Sequence, residues 1–196
     1  MLTNKTPDIA IELSGARLRL RAWQQADVGQ LVDAVHESVD SVGRWLPWCH
    51  AGYGRDEATD WIARCRAGWQ AGNHFAFALF DVNSGYLLGS AGLSQLDAPH
   101  RRANLGYWVR QSCQQQGIGA AAARLVAHFG FQQLELARIE IVVLPDNRPS
   151  RAVAEKTGAI CEAIARNRVW IHDRAHGAAV YGLIAQDLES GLSGSA

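Results

Sequence analysis

The stretch Gln114-Gln115-Gln116-Gly117-Ile118-Gly119-Ala120 decides how the chain is read. It follows a strand-like run, Leu105-Gly106-Tyr107-Trp108-Val109, and opens a helix-like run from Gly117 to Leu134. In that run Ile118, Ala122, Leu125, Val126 and Phe129 share one face. The first amides of a helix have no internal acceptor and carry the positive end of its dipole. Two glycines there let an anion approach the backbone, so the stretch predicts a phosphate or pyrophosphate site. A tight turn before an alanine-rich helix is the alternative that the glycines alone leave open. A Walker A loop is excluded, because no Gly-Lys-Ser/Thr is present. Gly117-x-Gly119-x-x-Ala122 can be set on a dinucleotide fingerprint, but that motif opens a series of βαβ units. Here it begins past the midpoint, and only one strand–helix unit and a hairpin follow.

Upstream, Arg17 to Trp23 alternates as a half-buried strand. Asp27 offers a helix N-cap, with Gln30 three residues on as a capping box. Val28, Leu31, Val32, Val35 and Val39 then recur at helical spacing. Trp45-Leu46-Pro47-Trp48 breaks that helix. A second helix starts near Asp56 and Glu57, buries Ala58, Trp61, Ile62, Cys65 and Trp69, and ends at Gly72. Phe75 to Phe80 and Tyr86 to Leu96 form a hairpin around Asn83-Ser84-Gly85, with Gly89 and Gly92 marking a bulge or a close approach. Downstream, Ile139 to Leu144 is a β-branched, central strand. Asn147 caps a short helix that admits Pro149 in its first turn and stops at Gly158. Ala163 to Ile171 and Ala178 to Ala185 form a closing hairpin. The order β-α-α-β-β-β-α-β-α-β-β predicts an α/β (α+β) fold with a mostly antiparallel mixed sheet of about six to seven strands flanked by helices.

The length of 196 residues fits a single domain over 1–196, with ends that fray at about 1–12 and 190–196. Hydrophobic residues make up 48% and charged residues 19%, which excludes a disordered chain. Lys+Arg and Asp+Glu are 19 each, so no global charge draws the chain to nucleic acid or an anionic membrane. No apolar run is long enough to span a bilayer, and the first residues lack a secretory core, so the expected address is the cytoplasm. Cys49, Cys65, Cys113 and Cys161 form no CxxC pair, and His172 with His176 lacks a third ligand. No metal is therefore expected.

The loop, with its neighbours, resembles the GNAT superfamily of acetyl-coenzyme A-dependent N-acetyltransferases. Gln114-x-x-Gly117-x-Gly119 matches the Gln/Arg-x-x-Gly-x-Gly/Ala loop of that superfamily. Leu105-Gly106-Tyr107-Trp108-Val109, Asn147-x-x-Ser150-Arg151 with Glu155-Lys156-x-Gly158, and Trp45-Leu46-Pro47-Trp48 are similar to segments of its RimJ/RimL branch, the ribosomal-protein N-terminal acetyltransferases. The resemblance runs from about Arg17 to Leu188.

The resemblance implies a sheet splayed at its central strands. It implies acetyl-CoA as cosubstrate, its pyrophosphate on the amides of Gln115, Gln116, Gly117, Ile118, Gly119 and Ala120, beside Gln114. The pantetheine arm would lie between the strand at Trp108-Val109 and the strand at Ile139 to Leu144. A backbone N–H near Val109 would hold the thioester carbonyl. The implied acceptor is a primary amine, a protein or peptide α-amino group, met by Trp45, Trp48 and Asn104. A small-molecule amine and a non-catalytic CoA-binding sensor stay open, as do monomer and homodimer. Ser150 is the candidate acid, or else a helix-start serine that bonds backbone. Asn147 bonds the cofactor, caps the helix, or does both. Relatives carry a glutamate where this chain has Asn104, which cannot take a proton at neutral pH. Glu140, by strand parity, is the candidate base, against the alternative of a salt-bridged strand carboxylate. Water-relayed proton loss near His74 or His100 is a further option. Arg101-Arg102 reads as solvated surface or as a contact for an acidic substrate.

Overall fold

The computed structural model describes residues 7–15, 17–171 and 173–190. Its strands are β1 (Glu12–Ser14), β2 (Leu18–Ala22), β3 (Phe75–Asp81), β4 (Leu87–Asp97), β5 (Arg102–Val109), β6 (Arg138–Val143), β7 (Ile160–Ile171) and β8 (Arg174–Leu183). Its helices are α1 (Val28–Glu37), α2 (Arg55–Ala71), α3 (Ile118–Gln133), α4 (Arg148–Thr157) and α5 (Ala185–Ser190). The strands form one eight-stranded sheet in the order β1-β2-β3-β4-β5-β6-β8-β7. Every ladder is antiparallel except β5–β6. The mixed, mostly antiparallel sheet agrees with the sequence reading. Unforeseen are the three-residue β1 and the short α5.

The sheet is buried on both sides. In β3, Phe75, Phe77 and Leu79 join a core with Phe129 and Val126 of α3, while Ala76, Ala78 and Phe80 join a second core with Leu31 of α1 and Ile62 of α2. That two-sided burial explains why Phe75 to Phe80 is an unbroken apolar run. Trp69 of α2 meets Phe75 and Phe77 edge-on at centroid distances of 4.9 and 5.1 Å. Its indole N–H donates to the Ala76 carbonyl at 3.0 Å.

Helix ends follow the local chemistry in most places. Gly72 and Gly158 stop α2 and α4 in the left-handed conformation. The Asn147 side chain accepts from the Ser150 amide at the start of α4. Asp27 departs from expectation. Its carboxylate grips the Arg21 guanidinium through two 2.8 Å bonds and accepts the Gln24 amide at 2.8 Å. Gln30 closes no capping box, because its amide oxygen accepts the Leu87 amide of β4 at 2.9 Å. Helix α1 ends at Glu37, so Val39 lies beyond it. The N-terminal stretch expected to fray is partly anchored, since Ile9, Ile11 and Leu13 pack against the core. Residues 1–6 and 191–196 lie outside the described residues.

Gly89 opposes Val109 across the β4–β5 ladder and has φ 148°. A Cβ built there would stand 2.2 Å from the Trp108 carbonyl oxygen and 3.0 Å from Val109 Cα. Gly89→Ala is therefore expected to cost about 1–3 kcal/mol of stability. Urea unfolding checks this, and wild-type stability in the variant would mean that β5 yields freely.

Candidate active site

Strands β5 and β6 pair over three residues only, Arg102–Asn104 against Arg138–Glu140. Both continue beyond that ladder, β5 to Val109 and β6 to Val143, so the sheet opens into a V. The Arg110 amide donates to the Leu88 carbonyl of β4 at 2.8 Å. By strand alternation, the backbone groups of Tyr107 and Val109 then face away from β4, into the opening. They are sheet-edge donors and acceptors without a neighbouring strand.

At the wide end of the V stands the N-terminus of α3. Gly117 is its N-cap at φ 78°, with no side chain satisfying the first-turn amides. Gln115 is also in the left-handed region, at φ 62°. A Cβ on Gly117 would meet nothing within 4 Å, so the backbone presents an open cradle. Gly119 has another role. A Cβ there would press on Val153 at 3.2 Å and Val109 at 3.5 Å, so its bareness serves the packing of α3 against α4 and β5. The cradle fits a pyrophosphate: amides converge on open space at the positive end of a helix.

The loop between β5 and α3 is held by the end of α1. The Glu37 carboxylate takes the Arg110 guanidinium and accepts the Ser112 amide at 2.8 Å. Ser38 Oγ accepts the Gln111 amide at 3.1 Å. The Gln114 amide donates to Val109 O at 2.9 Å and Ser41 Oγ at 3.2 Å, so Gln114 acts as a strut for the loop. Gln116 turns back to the Ser112 carbonyl at 3.2 Å. Burial pushes the Glu37 carboxyl upward, but hydrogen bonds from Ser112 and Arg110 outweigh it and hold the group below its ordinary value.

One cleft of about 1370 Å³ joins these parts. That exceeds the roughly 300–1,000 Å³ of a single small-ligand pocket. Trp45, Trp48, Asn104, Trp108, Val109, Gln114, Gln115, Gly117, Ile118, Gly119, Ala120, Asn147 and Ser150 all line it, whereas Gln116 and Glu140 do not. Within it Trp48 meets Trp108 edge-on at 5.5 Å and Tyr53 at 6.3 Å. The Arg44 guanidinium lies 5.1 Å from the Trp45 ring.

Ser150 approaches the V from α4. Its hydroxyl donates to Tyr107 Oη at 3.2 Å, and the phenol donates back to the Ser150 carbonyl at 2.8 Å. Burial pushes the Tyr107 phenol up to about 12, so it stays protonated. The serine side chain therefore meets another side chain, in place of the backbone bond expected of a helix-start serine. Tyr107 was missed as a site residue, because alternation puts it on the core side, opposite Trp108. Its place in the Leu-Gly-Tyr-Trp run was the one available signal.

Glu140 is not brought to the cleft. Its carboxylate lies among Arg138 at 3.2 Å, Arg168 at 3.6 Å and Arg102 at 3.7 Å. Held by three guanidiniums and absent from the cleft lining, Glu140 has the surroundings of the salt-bridged strand carboxylate that was the alternative to a base. His100 is tied to Asp97 at 3.0 Å in an exposed turn, and Arg102 bonds the same carboxylate at 2.9 Å. Arg101 turns to the Glu135 carbonyl. The four cysteines are free thiols. His172 lies outside the described residues, and among the described residues no group of His, Cys, Asp and Glu could hold a metal. No described helix is long and apolar enough to cross a membrane.

A splayed mixed sheet with a glycine-capped helix at its opening frames the cleft. Residues 17–160 match the Acetyltransferase (GNAT) domain model, and the chain belongs to that family of N-acetyltransferases. It is 28% identical over 179 residues to the "Putative ribosomal N-acetyltransferase YdaF" of Bacillus subtilis (strain 168), covering 88% of this chain and 93% of the relative. A structure titled as a "putative ribosomal-protein-serine acetyltransferase from Vibrio cholerae" superposes with a TM-score of 0.81 at 30% identity, covering 90% of this chain and 98% of that one. The RimL ribosomal L7/L12 alpha-N-protein acetyltransferase, solved with coenzyme A, shares the fold with a TM-score of 0.81 at 20% identity, over 91% of this chain and 99% of that one.

The Glu37 contact has a pH signature. A carboxylate depressed in the folded state stabilises above its ordinary value of 4.5, and that contribution is lost as pH falls through the depressed one. Glu37→Gln is expected to be less stable than wild type near neutrality and to converge with it in acid. Urea unfolding between about pH 7 and about pH 3 measures the gap. A gap that stays constant would show that the charge contributes nothing.

Proposed function

We propose that the chain transfers an acetyl group from acetyl-CoA to a primary amine, the acceptor being a protein or peptide N-terminal α-amino group. The observation that carries this reading is the V itself, with its edge amides leading to the open cradle at Gly117. Amides of the loop and of the first turn of α3 bind the pyrophosphate. The exposed edge of β5 pairs with the pantetheine amides as an added strand would. An inward N–H of Tyr107 or Val109 bonds the thioester carbonyl and the oxyanion that develops from it. Trp45 and Trp48 flank the acceptor, and much of the rate comes from holding amine and carbonyl together. Ser150, which lines the cleft, delivers a proton to the departing thiolate.

The acceptor class is supported by the names of YdaF and the Vibrio cholerae protein, which refer to ribosomal acetylation. A CoA-binding module without turnover is the reading that Asn104 favours, since an amide at that position cannot accept a proton. Thiol release from acetyl-CoA, measured over a panel of peptides and small amines, tests both. Turnover with peptides supports the proposal, turnover with small amines alone moves the acceptor, and binding without turnover leaves the module.

Gly117→Val should fold with a strain penalty of about 1–2 kcal/mol at a left-handed position. It should lose CoA affinity, because the side chain fills the open cradle. Calorimetric titration with CoA checks this, and wild-type affinity would put the pyrophosphate elsewhere. Ser150→Ala should leave CoA affinity unchanged and lower kcat, by ~10² to 10⁴ at most for a full general-acid role. Its melting temperature should hardly move, because the bond capping α4 uses the Ser150 amide and the Asn147 side chain. An unchanged kcat would remove Ser150 from the chemistry.

A further inference from the structure

We propose that His74 is the general base of the acetyl transfer, receiving the acceptor ammonium's proton through Ser94 and bridging water. This rests on the acetyl-transfer reading above. The register supplies the geometry. Phe75 pairs with Leu93, so His74, one residue earlier, lies opposite Ser94, and Ser94 pairs with Asn104. His74, Ser94 and Asn104 thus form a row across β3, β4 and β5, and all three line the cleft. Two strand spacings separate the ends of the row by about 10 Å. A histidine side chain, a serine hydroxyl and one or two waters span that gap.

The histidine is held in place and left free to react. Its backbone amide donates to the Gly68 carbonyl at 3.3 Å. A Cβ on Gly68 would stand 2.6 Å from His74 Cβ, so the glycine makes room for it. The imidazole packs edge-on against Trp61 at 5.9 Å. Among the described residues no hydrogen-bond partner meets its ring nitrogens or the Ser94 hydroxyl. Burial alone holds the imidazole below its ordinary 6.5, so it is neutral and can accept a proton near pH 7. The cleft's charged groups on α2, the helix packed against it, are Glu57, Asp60 and Arg64, with Asp40 and Arg44 on the segment before α2. None of them contributes to that depression. At the far end of the same row, Glu140 is neutralised by its arginines. His100, the other histidine considered for this role, is bound to Asp97 in an exposed turn.

The step balances. The ammonium N–H proton passes by water and Ser94 to the imidazole, giving imidazolium. The freed amine lone pair forms the C–N bond, the C–S bond breaks, the thiolate takes a proton from Ser150, and the second proton that the nitrogen sheds on becoming an amide passes through water to the Ser150 oxygen. The imidazolium returns its proton to solvent. The net products are the acetylated amine, CoA thiol and one proton.

The test is the pH dependence of kcat/KM of the full chain with acetyl-CoA and its best peptide acceptor. Wild type should lose rate in acid as His74 becomes charged. His74→Gln should lower kcat by about 10²-fold or more, abolish that acid limb and keep CoA affinity. Added imidazole should restore part of the rate to His74→Ala, which guards against a glutamine variant that misfolds. Ser94→Ala should lower kcat less while keeping the acid limb. A His74→Gln enzyme with kcat within twofold of wild type and the same acid limb overturns the proposal, as does a folded His74→Ala enzyme without imidazole rescue. Wild type that turns over no amine overturns the acetyl-transfer reading, and the role of His74 with it.

Discussion

The ladder between β5 and β6 stops after three residue pairs, and the site depends on that stop. A parallel ladder carried on to Val109 and Val143 would satisfy every edge amide and leave no room for a ligand. Instead the inward groups of β5 face a cleft, where water or a substrate amide can pair with those that Gln114 does not bond. Sheet edges are usually blunted because they invite added strands. Here the edge lies inside the sheet, walled by α2 and α4.

The arms of the V are spaced by side chains. Tyr107 leaves β5 on the core side and exchanges two hydrogen bonds with Ser150 on α4, the helix that follows β6. That pair spans the two arms behind the opening. On the loop side, Glu37, Ser38 and Ser41 bind Arg110 to Ser112 and Gln114. These residues end α1 and begin the segment that leads to Trp45 and Trp48. The glycine loop and the Trp45–Trp48 wall of the cleft are therefore tied to the same stretch of chain after α1. Ordering either one restrains the other, which is the condition for coupling between two binding sites.

Features with local causes were legible in the sequence. The Asn147 cap, the Gly72 and Gly158 stops, the Asn83-Ser84-Gly85 turn and the two-sided burial of β3 each rest on residues close in the chain. The glycine that opens α3 was legible for the same reason. Where reading failed, a distant partner had won. Gln30 stands at capping-box spacing from Asp27, yet its side chain goes to Leu87, 57 residues away. Tyr107 follows strand parity into the core, and nothing local says that Ser150 will meet it there. His74 was seen as a nearby histidine. Its relation to Asn104 exists only in the register of three strands.

Glu140 illustrates how parity can place a residue on a face without showing its partners. Alternation puts it on the same face as Asn104, with which it pairs. What surrounds it comes from three strands: Arg102 of β5, Arg138 of β6 and Arg168 of β7. Arg138 also reaches Glu162 of β7 at 2.9 Å, so the cluster crosses the sheet from β5 to its edge. Isolated exposed pairs contribute little, about 0–1 kcal/mol, but here the central carboxylate is half-buried and shared by three cations. Removing it would leave those guanidiniums facing each other where β5 and β6 still pair. The cluster thus pins the closed end of the V, while Tyr107 and Ser150 set its open end. The carboxylate that looked like a base is better placed to hold the hinge from which the active site opens.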